Sequence, residues 1–67
     1  MDLDQMKQRA QEYLDMDKIS LAHASITSDL LKNPATKHLL PQAIAMTKRL
    51  AIGVSKSEYE TWLNGLE

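Results

Sequence analysis

Apolar side chains recur at every third or fourth position along most of the chain, which is the spacing of one face of an α-helix. No stretch alternates apolar and polar residues over the length of a β-strand. The first helix is predicted over about residues 3–15, and Asp2 and Gln5 have the spacing of a capping box at its N-terminus. The apolar face of this helix is formed by Leu3, Met6, Ala10, Tyr13 and Leu14.

A second helix is predicted from Lys18 to about Lys32, with Asp17 as its N-cap. The apolar stripe of this helix and the histidine beside it are Ile19, Ala22, Ile26, Leu30 and His23. Residues 1–33 contain neither glycine nor proline, so one long helix over about residues 3–32 is the alternative. The apolar pattern favours two helices, and the choice between one helix and two stays open at this point.

Two prolines delimit the middle of the chain. Pro34 restricts Asn33 to extended backbone geometry, so the second helix ends there and Asn33 can cap the next segment. Because Pro41 would remove a hydrogen bond inside a helix, we predict a short turn over residues 34–39 and a third helix over about residues 41–52. This helix has a wide apolar stripe and is therefore expected to be the most buried element, through Leu39, Leu40, Ala43, Ile44, Met46, Leu50 and Ala51.

The fourth helix, over about residues 56–64, has the clearest ends. Gly53 can adopt the conformation that ends the preceding helix, and Ser55 and Glu58 have the spacing of a capping box. Trp62 is expected to be the largest core side chain, inserted between the third and fourth helices. The apolar side of the fourth helix consists of Tyr59, Trp62, Leu63 and Leu66.

These segments predict an all-α fold, a small bundle of three to four short helices in a single domain over residues 1–67. The third helix is expected at the centre, with the fourth packed across it. A chain of 67 residues buries only about 60% of its unfolded surface, which argues against a large enclosed active site. Several apolar residues fall off the main stripes and are available for contacts with another molecule: Met1, Met16, Leu21, Leu31, Ile52 and Leu66.

Charge is segregated along the chain, although the formal net charge is only −1. Residues 1–17 carry a net charge of −3, residues 18–53 carry +4 and residues 54–67 carry −2. A basic middle segment is either part of a solvated surface of mixed sign or a patch for an acidic partner, protein or nucleic acid. We therefore predict a partner-binding surface at Lys37, Lys48, Arg49 and Ile52.

The sequence shows no pattern typical of an enzyme or a metal site. His23 and His38 lie on different predicted elements, and no serine, histidine and acidic residue are arranged around a nucleophile. The paired aspartates near residues 2–4 and 15–17 lack the ligand number and central glycine of a calcium loop. We expect no catalytic residue, cofactor, metal or small-molecule substrate. Cysteine is absent and no signal or membrane-spanning pattern is present, so the expected location is cytoplasmic.

Two segments in the last third of the chain are typical of the turn and second helix of a helix-turn-helix motif. They are Ile52-Gly53-Val54-Ser55-Lys56-Ser57 and Trp62-Leu63-Asn64-Gly65. Residues 45–65 resemble the turn and recognition helix of helix-turn-helix regulators of the phage-repressor type. The resemblance implies that the fourth helix contacts DNA. The residues that would do so are Ser55, Lys56, Ser57, Glu60 and Thr61.

Two functional hypotheses arise from these patterns. The first is a small non-enzymatic regulatory or adaptor protein, for example an inhibitor, that binds another protein or itself through a helical face. The alternative is a sequence-specific DNA-binding transcriptional regulator. The sequence does not identify the partner or the oligomeric state.

Overall fold

The structure is a computed structural model that describes all 67 residues, and it contains no β-strand. Its elements, in chain order, are α1 (Leu3–Asp15), α2 (Ile19–Lys32), a 3₁₀ helix (Pro34–Leu39), α3 (Leu40–Ile52) and α4 (Lys56–Asn64). The predicted all-α fold of short helices is therefore confirmed. No helix combines the length and the apolar character needed to cross a membrane.

The junction between α1 and α2 resolves the choice between one helix and two. Asp17 has a φ of 59°, so the chain leaves helical geometry there. The Asp17 N–H donates to the Leu14 carbonyl at 2.9 Å, and the Lys18 N–H donates to the Tyr13 carbonyl at 2.9 Å. This hydrogen-bond pair is the Schellman motif that ends many helices. The prediction of Asp17 as the N-cap of α2 is wrong, because this aspartate terminates α1 in the left-handed conformation that aspartate tolerates.

The other predicted helix ends are confirmed. Asp2 and Gln5 form the capping box of α1. In α4 the Glu58 N–H donates to Ser55 Oγ at 3.1 Å, and the Glu58 side chain accepts from the Ser55 N–H. Gly53 ends α3 with a φ of 135°, a region that residues with a side chain rarely adopt.

The centre of the bundle is α2, not α3. α2 packs against α1 and also contacts the 3₁₀ helix and α3, whereas α4 packs mainly on α1. The predicted central position of the third helix, with the fourth packed across it, is therefore wrong. The core is built from Met6, Ala10, Leu14, Ala22, Ile26, Leu30, Leu39, Ala43, Met46, Tyr59, Leu63 and Leu66.

α3 is less buried than its apolar stripe predicts. Within α3 only Ala43 and Met46 are buried, and Ile44 is 57% exposed. Only one side of α3 packs against the rest of the bundle. The apolar stripe is wider than that side, so some of its residues remain exposed to solvent. Leu66 deviates in the opposite direction and is fully buried. Its N–H donates to the Leu63 carbonyl at 3.3 Å, which keeps the chain turned after α4 and directs this leucine into the core.

Tyr59, rather than Trp62, is the largest fully buried side chain. Trp62 is half-buried and packs against the edge of the core, with its ring centre 5.2 Å from that of Tyr59. The tyrosine takes the inner place because its hydroxyl reaches His23 on α2, at 2.9 Å. The predicted core position of Trp62 is therefore wrong.

Both chain ends are held against the segment between α2 and α3. Asn33 accepts from the Ala35 N–H through Oδ1 at 3.0 Å, as predicted for a cap, and its Nδ2 donates to the Met1 carbonyl at 3.0 Å. At the other end of the 3₁₀ helix, His38 Nε2 lies 3.2 Å from the Glu67 carbonyl oxygen. The N-terminal and C-terminal residues therefore lie close to the two ends of one short helix.

Candidate functional site

The side of α2 that faces away from the core carries no charge over most of its length. Between Ile19 and Leu31 the single charged residue is Asp29, and it is buried. Surface helices ordinarily present charged and polar residues to solvent, so this exposed face is unusual. The exposed residues at helical spacing on this face, which we call the α2 seam, are Leu21, Ala24, Ser28 and Leu31.

The α2 seam has the spacing of a helix-packing surface. Its members follow one another by three, four and three residues, which is the repeat of the a and d positions of a coiled coil. Leu21 is 49% exposed and Leu31 is 57% exposed, although both side chains are fully apolar. α2 thus exposes two leucines, an alanine and a serine on the side opposite its core face, with no charged residue among them.

The adjoining side of α3 extends this apolar surface. His23 on α2 contacts α3 through the Ala43 carbonyl, at 3.1 Å, and through Thr47 Oγ1, at 2.8 Å. Ile44 lies three residues before Thr47, on the same side of α3, and is exposed. Lys48 follows Ile44 by four residues and shares its face. Helical spacing therefore places Ile44 next to the contact with α2, and Lys48 one turn further along the same face of α3.

The exposed charges of residues 18–53 are all positive. Asp29 is the single carboxylate in this segment, and its buried Oδ1 lies 3.4 Å from Arg9 Nη1 on α1. The cations of the segment are Lys18, Lys32, Lys37, Lys48 and Arg49. Every other carboxylate side chain of the protein lies in residues 1–17 or 54–67: Asp2, Asp4, Glu12, Asp15, Asp17, Glu58, Glu60 and Glu67. The exposed charges at the two ends of α2 and on α3 are therefore positive, whereas α1 and α4 each contain more acidic than basic residues.

Of the four residues predicted to bind a partner, Lys48, Arg49 and Ile52 lie in the C-terminal half of α3, and Lys37 lies on the 3₁₀ helix. All four are exposed, and Ile52, at the C-terminal end of α3, is 90% exposed. Lys37 and Lys48 make no ion pair. Arg49 Nη2 lies 3.8 Å from Glu58 Oε2, which directs the arginine toward α4. Ile52 follows Lys48 by four residues and therefore shares the face of α3 on which Ile44 and Lys48 lie.

The residues predicted to contact DNA are partly engaged within the protein. They are Ser55, Lys56, Ser57, Glu60 and Thr61, on α4 or at its N-cap. Lys56 Nζ lies 3.5 Å from Asp17 Oδ1, and Glu60 Oε2 accepts from Gln11 Nε2 at 2.6 Å. Thr61 Oγ1 donates to a carbonyl of its own helix at 3.1 Å. The exposed side of α4 therefore offers hydroxyl groups but no unpaired cation.

A shallow cleft of about 380 Å³ lies between α3 and the exposed side of α4. It is lined by Arg49, Ser57, Glu58, Thr61 and Trp62. The half-buried Trp62 contributes the apolar part of its wall. This cleft is a second, smaller surface feature, distinct from the α2 seam.

A buried polar cluster joins α2, α3 and α4 at His23. Because the Ala43 carbonyl can only accept, Nε2 carries the ring hydrogen, and Nδ1 accepts from the Tyr59 hydroxyl at 2.9 Å. Burial lowers the pKa of His23, so its ring is neutral at pH 7. Burial also raises the pKa of Tyr59, so its hydroxyl keeps its hydrogen. Both ring nitrogens of His23 are hydrogen-bonded, and the ring centre of Trp62 lies 5.7 Å away. His23 therefore connects α2 with α3 and α4.

His38 is exposed and lies on the 3₁₀ helix, so it does not join the His23 cluster. No group of three or more histidine, aspartate or glutamate side chains is arranged to hold a metal ion.

No protein-family model matches the chain, and comparisons with curated proteins and with solved structures found no significant match. The functional interpretation therefore depends on the geometry and charge of this chain alone.

Proposed function

We propose that this chain is a small non-enzymatic regulatory or adaptor protein that binds another protein through the α2 seam and the adjoining side of α3. The observation that carries the proposal is the exposed, charge-free surface of α2, with Leu21 and Leu31 about half exposed. An exposed apolar surface bordered by polar residues is typical of a protein-interaction site. A cytoplasmic location remains part of this proposal.

The apolar energy available from this surface is modest, so specific binding must also draw on hydrogen bonds and charges at its margin. Complete burial of a leucine or isoleucine side chain is worth about 1.5–3 kcal/mol. Leu21, Leu31 and Ile44 are each about half exposed, so a partner that covers one of them gains about 1 kcal/mol from it. The three together favour binding by about 3 kcal/mol, and hydrogen bonds and charges at the margin add to this.

Capture from the native host with seam variants tests this proposal. Leu21→Ser combined with Leu31→Ser removes the apolar anchors, and both positions are exposed, so the fold should be retained. Met16→Ser is the matched control, because Met16 is 55% exposed and lies outside the seam, in the loop between α1 and α2. The proposal predicts a protein that the wild type and Met16→Ser capture and the double variant does not.

The captured protein is then identified by mass spectrometry, purified and mixed with the same three proteins, so that direct binding is measured by calorimetry. If no captured protein depends on Leu21 and Leu31, or if the purified protein binds the double variant equally well, α2 is not the docking surface.

We keep a helix-turn-helix DNA-binding regulator as the second proposal. The observation that favours it is the succession of α3, the short turn at Gly53–Ser55 and the well-capped α4. Against it stand Glu58 and Glu60 on α4, because carboxylates repel DNA phosphates.

A mobility-shift titration separates the two proposals. The first predicts no DNA affinity tighter than about 10 µM at physiological salt, which is weaker than a specific regulator. A sequence-dependent complex with a dissociation constant below about 1 µM, lost in Lys56→Glu, would establish the DNA-binding proposal instead.

A further inference from the structure

We infer that the occupant of the α2 seam is a helix of another protein, apolar on one side and bordered by aspartate or glutamate residues. The inference rests on the proposed function and specifies the partner. Three features of the surface support it. They are the spacing of the seam residues, the positive sign of the charges around the seam, and the poor fit of any face of a second copy of the chain to the seam.

The spacing of the seam fits a helix better than an extended strand. Its four residues repeat at the a and d spacing through which two helices interlock side chains. The small Ala24 and Ser28 lie between the larger Leu21 and Leu31, so a partner side chain can approach the backbone of α2 there. An extended peptide repeats its side chains every second residue and does not match this spacing.

The charges around the seam require an acidic partner. Lys18 and Lys32 lie at the two ends of α2, and Lys48 lies beside Ile44 on α3. None of these three lysines forms an ion pair inside the protein. No exposed carboxylate lies between residues 18 and 53 to compensate them. Carboxylates at the margins of a partner helix would pair with these lysines and suppress binding of basic helices.

A second copy of the chain does not fit the seam. Two copies that meet seam to seam bring the same lysines together, and like charges at an interface are unfavourable. A copy that offers an acidic side instead presents α1 or α4, and neither helix has an exposed aliphatic side chain. The exposed residues of α1 are Asp4, Gln5, Gln8, Arg9, Glu12 and Asp15. The occupant therefore belongs to another protein.

Nucleic acid is also a poor match for the seam. A nucleic-acid-binding helix places lysine or arginine on the face that meets the phosphates. α2 exposes no cation from Ile19 to Leu31, and the ends of its exposed face are aliphatic. The lysines border this surface rather than occupy it.

Two synthetic helical peptides of about three heptads test the inference, each with leucine at positions a and d. One peptide carries glutamate at the flanking e and g positions, and the other carries lysine at the same positions. At about 50 mM salt the acidic peptide should bind at least about tenfold more tightly than the basic peptide. This difference in affinity should shrink at about 500 mM salt, because screening shortens the range of charge interactions. Isothermal titration calorimetry measures both affinities.

Matched variants connect this binding to the seam. Leu21→Ser with Leu31→Ser should weaken binding of the acidic peptide about tenfold or more. Lys48→Gln should slow association by about twofold, because charges at the margin mainly affect the on-rate. Gln8→Glu changes the net charge by the same amount on the exposed side of α1 and should leave the on-rate unchanged.

Each contrary outcome overturns the inference. Equal affinities, or a preference for the basic peptide, would exclude an acidic partner, and failure of both peptides to bind would exclude a helical one. A dimer that Leu21→Ser and Leu31→Ser dissolve would identify a second copy as the occupant, and DNA binding weakened by Lys48→Gln would identify nucleic acid. If these tests fail while the capture experiment still finds a seam-dependent partner, the proposed function stands and the partner chemistry alone is wrong.

Discussion

Protonation of His23 is a perturbation whose effect on stability can be derived directly from the structure. In the neutral ring, Nε2 donates toward the Ala43 carbonyl and Thr47 Oγ1, and Nδ1 accepts from the Tyr59 hydroxyl. A second ring proton must be placed on Nδ1. The fully buried Tyr59 hydroxyl would then have to turn its own hydrogen away from the ring. Protonation therefore reverses this hydrogen bond, leaves the buried tyrosine hydroxyl hydrogen without its acceptor, and buries a charge.

The direction and size of the pH effect depend on the linkage between protonation and folding. The histidine of the unfolded chain has a pKa of about 6.5, whereas burial lowers the pKa of His23 in the folded protein. Below about pH 6.5 the unfolded state therefore binds more protons, and stability falls as the pH falls toward the folded-state pKa. Above about pH 6.5 the contribution of neutral His23 to the free energy of unfolding is fully present. Below this pH the free energy of unfolding falls by at most about 1.4 kcal/mol per pH unit.

Thermal melts at about pH 7 and about pH 5.5 measure the effect before most carboxylates titrate. One pH unit of this interval lies below the unfolded pKa, so the loss is up to about 1.4 kcal/mol. For a domain of this size, 1 kcal/mol corresponds to about 4–8 °C in Tm, and His23 should therefore lower Tm by up to about 10 °C. His23→Gln, which keeps a donor and an acceptor, should remove this part of the decrease, and the exposed His38→Gln should not.

A direct measurement covers the case in which His23→Gln fails to fold. Titration of the His23 ring protons by NMR should give a midpoint below about pH 6.5 in the wild type. An unshifted or raised midpoint, or an unchanged pH dependence in a folded His23→Gln variant, would refute the reasoning.

Two further predictions concern α4. Tyr59→Ala should lower the free energy of unfolding by about 3–5 kcal/mol, and Trp62→Ala should cost clearly less because its ring is half-buried. Urea denaturation followed by circular dichroism compares the two, and a larger loss for Trp62→Ala would contradict the assignment of Tyr59 as the core residue. Ser55→Ala should cost about 1 kcal/mol through loss of the cap, whereas the exposed Ser57→Ala should cost much less, and equal Tm values for the two would show that Ser55 does not cap α4.

The helix ends were largely predictable because their signals act over a few residues. Pro34, Gly53 and the capping box of Ser55 and Glu58 restrict the backbone locally, and each boundary lies where its signal places it. Asp17 was misinterpreted for the same reason. An aspartate between two helices can either cap the second or terminate the first, and the choice depends on the φ that the whole junction adopts.

The packing of the helices was less predictable because it depends on residues far apart in the chain. Tyr59 is held inward by His23, a partner 36 residues away, and the spacing of Tyr59 and Trp62 alone does not distinguish them. Ile44 belongs to an apolar stripe wider than the side of α3 that the bundle covers, so the sequence did not indicate which residue would remain exposed.

The sequence predicted part of the candidate site. Leu21 and Leu31 were expected to lie outside the main stripes, and their exposure confirms this. Ala24 and Ser28 were missed, although their spacing relative to the two leucines was a signal that could have found them. The basic character of the middle segment was apparent, but the burial of Asp29, which leaves only exposed cations there, depends on the packing of α1 against α2.

The anchoring of Met1 at Asn33 and of Glu67 at His38 makes the chain nearly a closed ring. A 3₁₀ helix rises about 2 Å per residue, so the backbone positions of Asn33 and His38 are separated by about 10 Å along its axis. A linker of a few residues, each spanning up to about 3.5 Å, joins the original termini across this gap. New termini at the turn before Ser55 then produce a circular permutant that begins with α4 and ends with α3. This permutant has the same core contacts as the original chain. The packing that stabilises the helices therefore does not require the order in which they are synthesised.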